Sequence, residues 1–112
     1  MPLYRVAMSP SRWKLTLYEP ATKTASDALA RNLAKSGLRA TLRLPEPASA
    51  ARLPYGRLPY STMFVSLGNG KTPDEAAVVQ AVGVVVKDLR ARFGRAALDL
   101  NGRLFGALPE PH

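Results

Sequence analysis

Lys14, Tyr18, Arg39, Arg43 and Phe64 fall at one parity of three segments in which apolar and polar side chains alternate. Between the second and third segments, Arg52-Leu-Pro-Tyr-Gly is followed at once by Arg57-Leu-Pro-Tyr-Ser, so Arg52, Tyr55, Arg57 and Tyr60 recur at matched spacing. Guanidinium and ammonium groups neutralise phosphates, and aromatic faces stack on unpaired bases, so this set of residue types is suited to single-stranded nucleic acid. The same Leu-Pro-Tyr steps would also serve to cover a hydrophobic edge, with proline restricting the backbone.

Whether these side chains act together depends on the strands that carry them. Residues 13–18, 39–44 and 61–67 each alternate with period two, the pattern of a sheet with one face buried and the other solvated. Trp13/Leu15/Leu17, Ala40/Leu42/Leu44 and Met63/Val65/Leu67 are assigned to the core. Lys14/Thr16/Tyr18, Arg39/Thr41/Arg43 and Thr62/Phe64/Ser66 are assigned to the open face. The connection over residues 45–60 is Pro-rich, basic and aromatic, and longer than compact domains usually carry without a reason.

Two helices join these strands. Thr24 as N-cap with Asp27 three residues on predicts a helix over residues 25–36, with Leu29 and Leu33 on one face and Gly37 as its left-handed stop. Thr72-Pro73-Asp74-Glu75 combines a hydroxyl cap, proline at the first helical position and a glutamate at the capping-box position, which predicts a helix over residues 74–93. Its stripe is Val78, Val82, Val85, Val86, Leu89 and Phe93, with Val79 and Val84 off the centre. Residues 96–100 read as a further strand, and Asn101-Gly102 as a tight turn leading back through residues 103–107. Residues 4–8 read as an additional N-terminal strand, and residues 108–112 as a flexible tail.

With the terminal arms set aside, the order βαββαβ predicts an α+β, ferredoxin-like split βαβ plait with an antiparallel sheet, plus an extra N-terminal strand and a C-terminal hairpin. In such a plait the first and third strands are central neighbours, which is expected to bring Tyr18 and Phe64 together with Arg39 and Arg43 on one flank. A strand at residues 4–8, or the last hairpin, folded over that face would instead make both rings members of a second core. An aromatic on each central strand resembles RNA-recognition-type domains in that one respect. The basic-Gly-aromatic lead of that family is missing before Met63-Phe64-Val65-Ser66-Leu67, and Lys14-Leu15-Thr16-Leu17-Tyr18 departs from its other signature. The unit over residues 25–42 is similar to many small plait domains, peptidoglycan-binding repeats among them.

Composition bounds the rest. The 112 residues suit one domain, and 16 Lys and Arg against 8 Asp and Glu give a net charge of +8, which draws the chain to polyanions. Eleven of the cations are arginine, favouring phosphate forks, although a GC-rich genome produces the same bias. The absence of cysteine excludes disulfides and thiolate chemistry. The only histidine is His112, and the carboxylates are scattered, with Asp27, Asp74 and Glu75 accounted for at helix starts; no catalytic residue, metal site or cofactor is expected. Gly68-Asn69-Gly70-Lys71-Thr72 lacks the Walker spacing, which would need glycine where Val65 stands. No segment reads as a signal sequence or membrane span, so a cytoplasmic protein without membrane contact is expected.

Two function classes follow. One is a non-enzymatic nucleic-acid-binding module for RNA or DNA, single-stranded, using Lys14, Tyr18, Arg39, Arg43, Arg52, Tyr55, Arg57, Tyr60 and Phe64. The alternative is a protein–protein interaction or assembly subunit, a homo-oligomer or a component of a larger complex, whose charge matches an acidic protein partner.

Overall fold

Apolar alternation in three segments becomes three adjacent strands, because only side-by-side pairing lets all the apolar parities share one core. The structure, a computed structural model, describes residues 13–44 and 59–106. Its elements are β1 (Trp13–Glu19), α1 (Lys23–Lys35), β2 (Leu38–Arg43), β3 (Ser61–Leu67), α2 (Glu75–Phe93), β4 (Ala97–Leu100) and β5 (Arg103–Gly106). The strands form one antiparallel sheet in the order β2-β3-β1-β4-β5. It is an α+β fold with an open sheet.

Both helices lie on one face. Trp13, Leu15, Leu17, Met63, Val65, Leu98 and Leu100 from the sheet pack with Leu29 and Leu33 of α1 and with Val78, Val82, Val85 and Leu89 of α2. Each such side chain contributes about 1.5–3 kcal/mol when fully buried. The helices are joined to each other by a polar clasp in which Asn32 Nδ2 donates to Asp88 Oδ2 at 2.8 Å and to the Ala28 carbonyl at 2.9 Å. Arg92 Nε stands 3.5 Å from the same Asp88 oxygen. Ser26 of α1 and Ser61 of β3, both buried, satisfy each other through a 3.2 Å hydrogen bond.

The helix starts differ from expectation. The cap of α1 is Thr22, whose Oγ1 accepts from Ala25 N–H at 3.0 Å, and Thr24 lies inside the first turn. Asp27, expected to complete a capping box, instead pairs with Lys23 four residues back at 3.0 Å. At α2 the cap is Asp74, without a side-chain capping bond, and Thr72 and Pro73 stay outside the helix. The reason is tertiary: the Pro73 carbonyl accepts the buried Trp13 indole N–H at 3.2 Å, while Val78 N–H takes the Asp74 carbonyl as its helical acceptor.

The last hairpin extends the sheet in its own plane and does not fold across the open face. Asn101 and Gly102 have φ of 50° and 94°, the two positive values that a two-residue turn of this twist demands. Asn101 also locks the turn to β1, its Oδ1 accepting from Lys14 N–H at 2.8 Å while its own N–H donates to the Lys14 carbonyl at 3.0 Å. The expected strand at residues 4–8 lies outside the described residues.

On β2 the expected parity holds but the expected burial does not. Leu38 is buried and Ala40 half-buried, whereas Leu42 and Leu44 are 44% and 62% exposed. Among the described residues β2 is an edge strand, and the helix layer covers only its beginning.

Candidate functional site

The strand register sorts the open face into rows. Phe64 stands opposite Lys14 on β1 and Thr41 on β2. The next row runs Arg43, Thr62, Thr16, Asp99 and Leu104 across all five strands. Tyr18 is therefore four residues along β1 from the position opposite Phe64, roughly 13 Å away at the rise of an extended strand. The expectation that Tyr18 and Phe64 sit together is corrected: in antiparallel neighbours the end of β1 meets the beginning of β3, not its middle.

What does gather is a smaller group. Arg43 places its guanidinium carbon 5.5 Å from the centre of the half-buried Phe64 ring, within cation–π range. Lys14, Arg39, Thr41 and Arg43 are exposed around that ring, and Thr62 is partly exposed beside it. Arg39 Nη2 donates to the Gly68 carbonyl at 3.1 Å, which ties one corner of its fork to the turn after β3 and leaves the guanidinium's other donors to project from the surface. Cations on β1 and β2, roughly 10 Å apart across two strand spacings, thus flank an aromatic and two hydroxyls on β3 and β2.

The remaining residues have other places. Tyr18 is buried, and Tyr60 is half-buried with its ring against the helix-side core while its N–H donates to the Leu17 carbonyl at 2.6 Å. Neither presents a stacking face beside Phe64. Arg52, Tyr55 and Arg57 lie outside the described residues. Asp99 does reach the open face, and its Oδ1 accepts from Gly102 N–H at 2.8 Å, a turn-closing contact. Leu104, which no sequence pattern singled out, adds an exposed apolar side chain at the far end of the same row. Its four-residue strand is too short for alternation to show.

Burial first, and the negative charge of Asp99 second, hold the Tyr18 hydroxyl above its ordinary pKa of 10.0. The sign of the consequence follows from proton linkage. As pH rises through about 10 the unfolded chain loses this proton before the folded one does, so the contribution of Tyr18 to stability declines in that range and is intact below it. The alkaline fall in Tm is expected to be shallower in Tyr18→Phe than in the parent chain; parallel curves would show that the hydroxyl titrates alike in both states.

Among the described residues, no group of three or more histidine, cysteine, aspartate or glutamate side chains is placed to hold a metal ion. Among the described residues, no helix is long and apolar enough to cross a membrane. Comparison with protein-family models, curated proteins and solved structures found no match to this chain.

Proposed function

We propose that this protein is a small, basic, non-catalytic nucleic-acid-binding module that takes single-stranded RNA or DNA on its open sheet face. The observation that carries the reading is that Phe64 shares its face with exposed Lys14 directly opposite on β1 and with exposed Arg39 and Arg43 on β2, the Arg43 guanidinium carbon lying 5.5 Å from the ring centre. Exposed cations supply the phosphate attraction, Phe64 supplies one stacking platform, and Thr41 and Thr62 supply hydroxyls for sugar or base edges. The charge of +8 supports the same reading through long-range steering. The strand order β2-β3-β1-β4, with both helices on one face, supports describing the scaffold as a ferredoxin-like split βαβ plait extended at one edge by β5. Within that scaffold the site belongs to the β2-β3-β1 half of the sheet.

Fluorescence anisotropy with a labelled single-stranded oligonucleotide, over a series of salt concentrations, tests this. Arg39→Glu with Arg43→Glu is expected to weaken binding by about a hundredfold or more and to reduce the salt slope, each lost phosphate contact removing about 0.7 from it. Phe64→Ala is expected to cost roughly tenfold with the slope nearly kept, as loss of a single stacking platform would. Unchanged affinity of both variants at moderate salt would remove the sheet face from nucleic-acid binding.

A second reading, assembly with another protein chain, is favoured by Val84, which stands 61% exposed on α2. Val79 is half-buried against the core, so Val84→Glu is the clean probe. On this reading the variant dissociates an assembly that the parent chain forms, without altering Tm. A parent chain that light scattering finds monomeric at every concentration, alone and with its natural partners, speaks against it.

A further inference from the structure

The outer edge of β2 carries backbone groups that the sheet does not use, beside the face just described, with which this edge shares Arg39 and Arg43. Gly68 N–H donates to the Gly37 carbonyl at 2.9 Å, and both the N–H and the C=O of Leu67 are taken by the following turn, through Lys71 O and Gly70 N–H at 2.9 Å each. The 37/68 pair is therefore the hydrogen-bonded kind and the 38/67 pair is not. By the alternation of antiparallel ladders, Leu38, Ala40 and Leu42 then direct their backbone N–H and C=O away from β3, toward the free edge.

The side chains along that edge keep capacity for a partner, with Arg39 giving one donor to the Gly68 carbonyl and Arg43 lying against Phe64. On the helix side Leu42, and Leu44 just past the end of the strand, are exposed. On the open-face side Arg39 and Arg43 alternate with Thr41. No proline interrupts the strand and no described element covers it, so two cations are its main defence against pairing.

We propose that β2 is a docking edge for an extended acidic peptide strand, added antiparallel to the sheet, with acidic residues at one parity and apolar residues at the other. The carboxylates lie beside Arg39 and Arg43, and the apolar side chains cover Leu42 and Leu44, each cross-strand pair adding specificity to a backbone ladder that is itself blind to sequence. A second copy of the chain is a poorer occupant. Of the two same-face antiparallel self-pairings that overlap five of the six strand residues, the one centred on Thr41 sets Arg39 directly against Arg43 of the other copy and the one centred on Ala40 sets Arg39 against Thr41, and both bring together two molecules that each carry +8. This inference goes beyond the nucleic-acid reading and does not depend on it.

The probe is a fluorophore-labelled heptapeptide alternating glutamate and valine, with blocked ends, followed by anisotropy at physiological salt. Saturable binding is expected, at least tenfold tighter than that of the lysine/valine analogue, and Arg39→Glu with Arg43→Glu is expected to invert that preference. Backbone geometry is read by N-methylation. Methylating the valine nitrogens alone, which face Leu38, Ala40 and Leu42 in the antiparallel arrangement, is expected to weaken binding at least tenfold, whereas methylating the glutamate nitrogens leaves it nearly unchanged. Equal effects at both parities would mean that charge alone attracts the peptide, and would overturn the proposal. So would failure of the peptide to bind a chain that dimerises through β2, or one that binds only an oligonucleotide; the last result leaves the nucleic-acid reading standing.

Discussion

Gly106→Ala is expected to destabilise the protein by about 2–5 kcal/mol, summing left-handed backbone strain and a contact that cannot relax. Gly106 has φ of +82°, and a Cβ built on it would fall on the Ala96 carbonyl, with Ala96 C only 2.9 Å away. Backbone atoms meet this methyl group, so no side-chain rotation relieves it. The four-residue β5 must then either pull away from β4 or drag the entry to β4 with it. Gly102→Ala is the control. Gly102 has φ of +94° but open space around its Cβ position, so it should lose only the strain, about 1–2 kcal/mol. Thermal denaturation compares the two, and hydrogen exchange locates the damage at the amides of β4 and β5. A Gly106→Ala variant no less stable than Gly102→Ala would show that the close approach of β5 to Ala96 is not part of the folded state.

Trp13→Ala is expected to cost about 3–5 kcal/mol, the range for truncating a buried aromatic. Against a total stability of about 5–15 kcal/mol for a domain of this kind, that is enough to lower Tm by more than about 10 °C. The ring begins β1, is 7% exposed, and joins the residues of β3, α1 and α2 in one core. Its indole N–H has a second duty, since it holds the Pro73 carbonyl just ahead of α2. Trp13→Phe separates the two contributions. Most of the apolar surface is kept while the buried carbonyl loses its donor, so about 1–3 kcal/mol of loss is expected. If Trp13→Phe matches the parent chain in denaturant titration, the indole hydrogen bond contributes nothing net, and packing alone places the start of α2.

The same contact explains an expectation that failed. Thr72-Pro73-Asp74-Glu75 reads locally as cap, first turn and capping-box acid, yet the helix begins after Asp74 because Trp13, sixty residues earlier, engages Pro73. At α1 the expected cap was Thr24, but Thr22 caps the helix, and Asp27, which would have completed the later capping box, is paired with Lys23. Elsewhere local signals sufficed. The stripe through Val78, Val82, Val85, Val86 and Leu89 is buried, its last member Phe93 is half-buried and Val84 is exposed, and the Asn101-Gly102 turn forms where those two residues tolerate positive φ.

The candidate site divides in the same way. That Lys14, Arg39, Arg43 and Phe64 share a face was legible from parity. That Phe64 meets Lys14 and Arg43 rather than Tyr18 was not, because β1 and β3 are separated in the chain by a helix and a strand, and no turn between them sets the register. The exposure of Leu42 and Leu44 was equally hidden. Both lie at the core parity, and only the reach of the helix layer decides that they remain uncovered.

By itself the chain of residues determined which side chains look toward the helices and which look away, where the C-terminal turn falls, and that the surface is strongly basic. These follow from the two-residue period of a strand, the tolerances of single residues and a count of charges. Register, strand order and the uncovered edge of β2 came only with the tertiary structure. They depend on how every apolar face is buried at once, a condition that no local stretch of sequence contains.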